Sequence, residues 1–130
     1  MNPSFLIKPL LMLLALTPNV ADLKPEISFD TYGHNFGKIL PNTNKKYIFR
    51  FTNTGKGTLE IYRVRAGCSC TGAELSGRIF KPGESGNITV TFNPEDFTGK
   101  ITRWIYVYAN TPERETTLEI TATIQDKNND

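Results

Sequence analysis

Two cysteines separated by one serine, Cys68 and Cys70 in RAGCSCTGAEL (65–75), are the only thiols of the chain. A pair this close can do one of three things. In an extended strand both sulfurs fall on one face, with Cα atoms about 6.6 Å apart. That is near the upper limit for a disulfide, so a bridge requires a kinked backbone; Gly67 and Gly72 flank the motif and could permit one. Reduced, the two thiolates could converge on a soft ion. Copper(I) suits so small a ligand set, whereas zinc needs two further ligands, for which His34 and Glu74 are on offer. Third, both cysteines could be small apolar side chains packed at a strand end. The spacing leaves all three readings open.

Other reactive residue types are sparse. His34 is the single histidine, and a lone histidine is ordinarily a structural, hydrogen-bonded residue. Ser69 and His34 are the only elements of a nucleophile–base pair, and no G-x-S-x-G surrounds the serine. The carboxylates Asp30, Glu60, Glu74, Glu95 and Asp96 are scattered. These residues give no basis for an enzyme, and no cofactor is expected beyond copper(I) or zinc at Cys68 and Cys70. With a net charge of +2 and basic residues spread singly apart from Lys45-Lys46, the chain lacks the basic stripe of a nucleic-acid binder. Asn87-Ile88-Thr89 matches a glycosylation sequon, but it falls inside a strand pattern and reads as fortuitous.

The elements that carry these residues are strands. Residues 26–29 open the domain with Ile27 and Phe29 in phase, and 34–39 follow the turn-like Tyr32-Gly33. KKYIFRFTN (45–53) alternates cleanly: Tyr47, Phe49 and Phe51 share one face, and Lys46, Arg50 and Thr52 the other, as a half-buried strand requires. NTGKG (53–57) supplies a tight reversal. Residues 58–66 start with Leu59 and Ile61 in phase and then shift to Val64, which predicts a bulge near Tyr62-Arg63. Pro82-Gly83 predicts a type II turn, and 87–93 alternates through Ile88, Val90 and Phe92. KITRWIYVYAN (100–110) is apolar on both faces and predicts a central strand. Its row Trp104, Tyr106 and Tyr108 is a recognition surface if it faces outward; covering by loops or the other sheet is the favoured reading, since aromatics dominate cores. Phe97, in the loop 93–100, is either a contact point or, preferably, a plug for the sandwich end. Residues 116–124 close the domain, and QDKNND is a polar tail, expected to fray. About seven strands with regular turn signals predict an all-β, immunoglobulin-like antiparallel sandwich over 22–125, with 126–130 as tail; a small barrel is the runner-up.

The first segment differs. Leu10–Leu16 is an unbroken apolar run, too short for a membrane span, which needs about 20 residues. Lys8 precedes it, and Pro9 and Pro18 bracket it. This predicts a signal peptide over 1–21, export, and no stable membrane span in the mature chain. Export leads to an oxidising compartment in which a disulfide is permitted.

Five stretches in this order, FDTYGHNFGKI, FRFTNTGKGTLEI, VRAGCSCTGAE, KPGESGNITVTFNP and GKITRWIYVYAN, resemble a bacterial family filed as a domain of unknown function, number 1573. The resemblance covers roughly residues 26–124. Its most specific element is the Cys-x-Cys-Thr after an NTG hairpin, with serine here where the family more often has glycine. It implies an immunoglobulin-type sandwich related to the major-sperm-protein and cilia-associated modules, exported in a Gram-negative-type bacterium and periplasmic or envelope-associated. It implies no activity. The sequence therefore reads as a non-enzymatic binding or assembly module whose partner is another cell-envelope protein. The alternative is a thiol redox or copper(I)-handling protein.

Overall fold

The computed structural model describes residues 23–126; the segment expected to be a signal peptide and the last four residues of the polar tail lie outside them. Among the described residues there are nine strands: β1 (Ile27–Phe29), β2 (Gly33–Ile39), β3 (Lys45–Asn53), β4 (Leu59–Ala66), β5 (Thr71–Leu75), β6 (Ile79–Phe80), β7 (Ser85–Phe92), β8 (Gly99–Ala109) and β9 (Glu115–Ile124). They form a four-stranded sheet of order β1-β3-β7-β5 and a five-stranded sheet of order β2-β9-β8-β4-β6. Alternation buries one face of each sheet. Phe49 and Phe51 of β3 and Ile88, Val90 and Phe92 of β7 meet Leu59 and Ile61 of β4, Ile105 and Val107 of β8, and Leu118 and Ile120 of β9. Each such side chain contributes about 1.5–3 kcal/mol when fully buried, so the sheets hold together without help from the cysteines.

The pattern-based strands fall where the alternation puts them. β3 occupies the predicted span, β8 is the middle strand of its sheet, and the register of β4 against β8 slips between Ile61 and Arg63, the predicted bulge. Gly83 has φ 87°, and Glu84 N–H donates to Lys81 O at 3.0 Å. This is the type II geometry that Pro82-Gly83 dictates, because only glycine adopts positive φ without cost.

Three features differ from expectation. β5 and β6 are strands that the sequence pattern does not announce; at five and two residues they are too short for period two to show, and pairing with β7 and β4 makes them. β2 runs parallel to β9, whereas the remaining pairings are antiparallel; the link 30–32 carries the chain from one sheet to the other. The tail is tied down at its start, where Gln125 N–H donates to Ile39 O at 2.8 Å.

Candidate functional site

β4 and β8 lie side by side, and their outward residues face each other in register: Arg63 opposite Tyr108, and Arg65 opposite Tyr106. The same step places Gly67, whose N–H donates to Trp104 O at 2.9 Å, opposite Trp104. The Arg63 guanidinium sits 4.9 Å from the Tyr108 ring centroid, and that of Arg65 sits 4.8 Å from the Tyr106 centroid. Stacking of this kind is worth about 0.5–1 kcal/mol on an open surface, enough to orient the side chains and too little to hold the fold. A hydrogen bond and charge attraction from Tyr108, and more weakly attraction from Glu115, keep Arg65 above the usual arginine pKa. At the third rung the pattern stops. Gly67 offers no side chain, and a Cβ there would meet Trp104 O at 3.1 Å.

An open cleft of about 440 Å³ lies at this rung, lined by Gly67, Cys68, Phe97, Thr102, Arg103, Trp104 and Tyr106. Phe97 reaches it from the loop between β7 and β8, and Arg103 stacks over that ring at 5.3 Å from its centroid. Trp104 is 44% exposed and Phe97 49%, while Tyr106 and Tyr108 are half-buried. The preferred readings, a covered aromatic row and a plugging phenylalanine, are therefore corrected. Ile105 and Val107 take the inward positions of β8, so the alternation turns Trp104, Tyr106 and Tyr108 outward, and among the described residues no loop or strand covers them. The outer face of the other sheet is different in kind, with Lys46, Arg50, Thr52, Ser85, Asn87, Thr89 and Thr91 around a single exposed Ile48.

The cysteines border the same cleft. Thr71 N–H donates to Cys68 O at 3.2 Å, closing a turn over 68–71. This turn brings the Cα atoms of Cys68 and Cys70 to 5.3 Å, and the sulfurs are joined as a disulfide. The kink comes from the turn; neither flanking glycine takes positive φ. Cys68 is half-buried at the cleft and accepts the Cys70 N–H at 3.0 Å, whereas Cys70 is 7% exposed and belongs to the core. Joined sulfurs are not thiolates, and among the described residues no group of three or more His, Cys, Asp and Glu is placed to hold a metal. The two ligands considered for zinc are elsewhere. His34 stacks on Tyr47 with centroids 3.8 Å apart, with Phe36 edge-on at 4.7 Å, and burial lowers its pKa. Glu74 is exposed on β5. Ser69 is exposed on the cysteine turn.

The structure thus gathers Cys68, Phe97, Trp104 and Tyr106 around one cleft, with Tyr108 continuing the row. It adds Arg63, Arg65 and Arg103, which the sequence reading passed over. Their signal was present: Arg-Val-Arg in β4 has the same alternation as Trp-Ile-Tyr-Val-Tyr in β8, but only pairing shows that the two rows stack.

The fold and face define an immunoglobulin-like sandwich domain with a decorated sheet surface. The chain belongs to the family described as protein of unknown function (DUF1573), whose model matches residues 27–124. Among solved structures it is similar to a protein of unknown function from Porphyromonas gingivalis, at 18% identity and TM-score 0.71, over 81% of this chain and 49% of that one. It is also similar to the seventh ASH/PapD-like domain of human CEP192, at 9% identity and TM-score 0.59, over 85% and 92% of the two chains. A C. elegans member of the MSP family, WR4, aligns at 9% identity and TM-score 0.51, over 76% and 97%. These likenesses show the fold. The chain spans about half the length of the Porphyromonas gingivalis protein. No curated protein matches. Among the described residues no helix is long and apolar enough to cross a membrane.

Proposed function

We propose that this protein is a non-enzymatic, exported binding module of the bacterial cell envelope that engages a protein partner through the outer face of β4 and β8. One observation carries the reading: Phe97, Trp104 and Tyr106 converge with Arg103 on an open cleft on a face otherwise built of stacked arginines and tyrosines. Interfaces are enriched in tryptophan, tyrosine and arginine, because these side chains give large contact areas with few rotatable bonds. A monomer with no use for the face would be expected to cover it or make it polar, as the opposite sheet is. Export rests on the apolar run Leu10–Leu16 with its basic flank, and the joined cysteines suit an oxidising compartment.

The test is photo-crosslinking on intact cells with a photoreactive residue in place of Trp104, beside a control carrying it at Thr91 on the opposite sheet. A discrete protein adduct at Trp104 and none at Thr91 is expected. No adduct at either position, with the protein abundant, would end the proposal. The alternative, thiol redox or copper(I) handling, first needs the disulfide reduced. It would be supported by copper(I) retained after mild reduction and lost on replacing Cys68 and Cys70 by serine.

A further inference from the structure

β4 is an edge strand for half its length. β6 pairs only with Leu59 and Glu60, and beyond it the Arg78 guanidinium caps the Tyr62 carbonyl at 2.8 Å. From Arg63 to Ala66 the sole hydrogen-bonded strand partner among the described residues is β8, although β5 of the other sheet also contacts β4. Hydrogen-bonded pairs alternate along an antiparallel ladder. Since Gly67 N–H bonds to Trp104 O, Arg65 and Arg63 also direct their backbone groups at β8, and Val64 and Ala66 point theirs outward. A strand added here would find backbone donors and acceptors at Val64 and Ala66. Its outward side chains would lie beside Arg63, Arg65 and Gly67, at the non-hydrogen-bonded positions where side chains come closest.

The chemistry at those positions is specific. Among the described residues, Arg63, Arg65 and Arg103 make cation–π contacts and no ion pair. A guanidinium stacked on a ring keeps in-plane N–H donors for a carboxylate; Arg65 gives one of its donors to Tyr108 and Arg103 one to Thr102 O at 2.8 Å, and the others stay open. The acids of this sheet face are Glu60, at the end of β4 that β6 pairs, and Glu115 and Glu119 on β9, with β8 between them and β4 and with Glu115 adding only a weak attraction to Arg65. Gly67 carries no side chain at the third position; the Tyr106 ring edge lies 3.5 Å from where its Cβ would stand, so the open space there lies toward Trp104 and Phe97. An aromatic side chain placed across from an edge glycine folds over it and fills the gap. The outward positions of β4 and of an added strand share one spacing of about 6.6 Å, so one extended segment can match all three.

We propose that the Arg63–Gly67 edge of β4 receives an extended acidic segment of a partner protein. Two alternate carboxylate side chains lie beside Arg63 and Arg65, and an aromatic side chain two residues further on covers Gly67 against Trp104 and Phe97. This rests on the reading of the face as a binding surface and names the partner's recognition element.

Trp104 is the only tryptophan, so its fluorescence reports the third position directly. The full domain is titrated with two end-blocked synthetic peptides, Glu-Ser-Glu-Ser-Phe and the reversed Phe-Ser-Glu-Ser-Glu, because strand direction is not imposed, and with both lysine-for-glutamate versions. Saturable change with one acidic peptide, weakened by added salt, is expected, with no response to the lysine peptides. Arg63→Gln and Arg65→Gln lie on an exposed face and leave the fold intact; each should weaken binding about two- to fivefold, and the pair multiplicatively. No response to either acidic peptide at millimolar concentration, equal response to the lysine peptides, or unchanged affinity in the double variant would each overturn the inference. Any of these alongside a partner crosslinked at Trp104 would sink the acidic segment and leave the binding module standing; loss of both would remove the face altogether.

Discussion

Asn53 offers the sharpest test of the packing argument. It ends β3 with no exposed surface. Its Nδ2 donates to Gly57 O at 2.8 Å and Phe80 O at 3.0 Å. Its Oδ1 accepts the Gly55 N–H at 3.0 Å and, at a longer 3.4 Å, the Glu26 N–H. One side chain thus fastens the β3–β4 reversal, β6 and the approach to β1. Asn53→Ala removes three short bonds. At about 1 kcal/mol net for each, the loss is about 3 kcal/mol. Without compensating water the unpaired carbonyls would cost more, and the half-buried hairpin glycines allow some water in. For a domain of this size 1 kcal/mol moves Tm by about 4–8 °C, so a fall of roughly 12–24 °C is expected. Urea denaturation followed by circular dichroism and by Trp104 fluorescence measures it, with an unchanged slope as the sign that only stability moved. Asn87→Ala, on the exposed outer face of β7, serves as control and should stay within about 0.5 kcal/mol. A loss at Asn53 below about 1 kcal/mol, or one matched by the control, would refute the claim that this residue staples the sheets.

Two further outcomes follow from the same geometry. Burial lowers the His34 pKa from 6.5, so folding favours the neutral ring: the stability it contributes is full above the unfolded value and is lost as pH falls through the lowered native value. Urea midpoints at pH 7.5, 6.0 and 5.0 should fall more steeply for wild type than for His34→Gln, and parallel profiles would contradict this. The disulfide closes so small a loop that chain entropy assigns it only about 1–2 kcal/mol. Reduction should therefore leave the strand spectrum intact with a modest fall in Tm, and collapse of the spectrum would show that the core is less self-sufficient than described.

The sequence alone determined the layered all-β architecture. Period-two alternation in residues 45–53, 87–93 and 116–124 is a local signal, because each side chain's face follows from its neighbours along the chain. The Pro82-Gly83 turn and the slip near Tyr62 are local for the same reason. What only the tertiary structure decided is which strands are neighbours and what lies on the faces left over. Trp104, Tyr106 and Tyr108 alternate as well as any buried row, and nothing in their own strand says that Ile105 and Val107 take the core. That Arg63 and Arg65 stack on two of these rings, that Gly67 leaves the third bare, and that Cys68 and Phe97 meet there depend on the register of β8 against β4 and on a loop arriving from β7. Those contacts join residues far apart in the chain, and pairing energy between strands sets them.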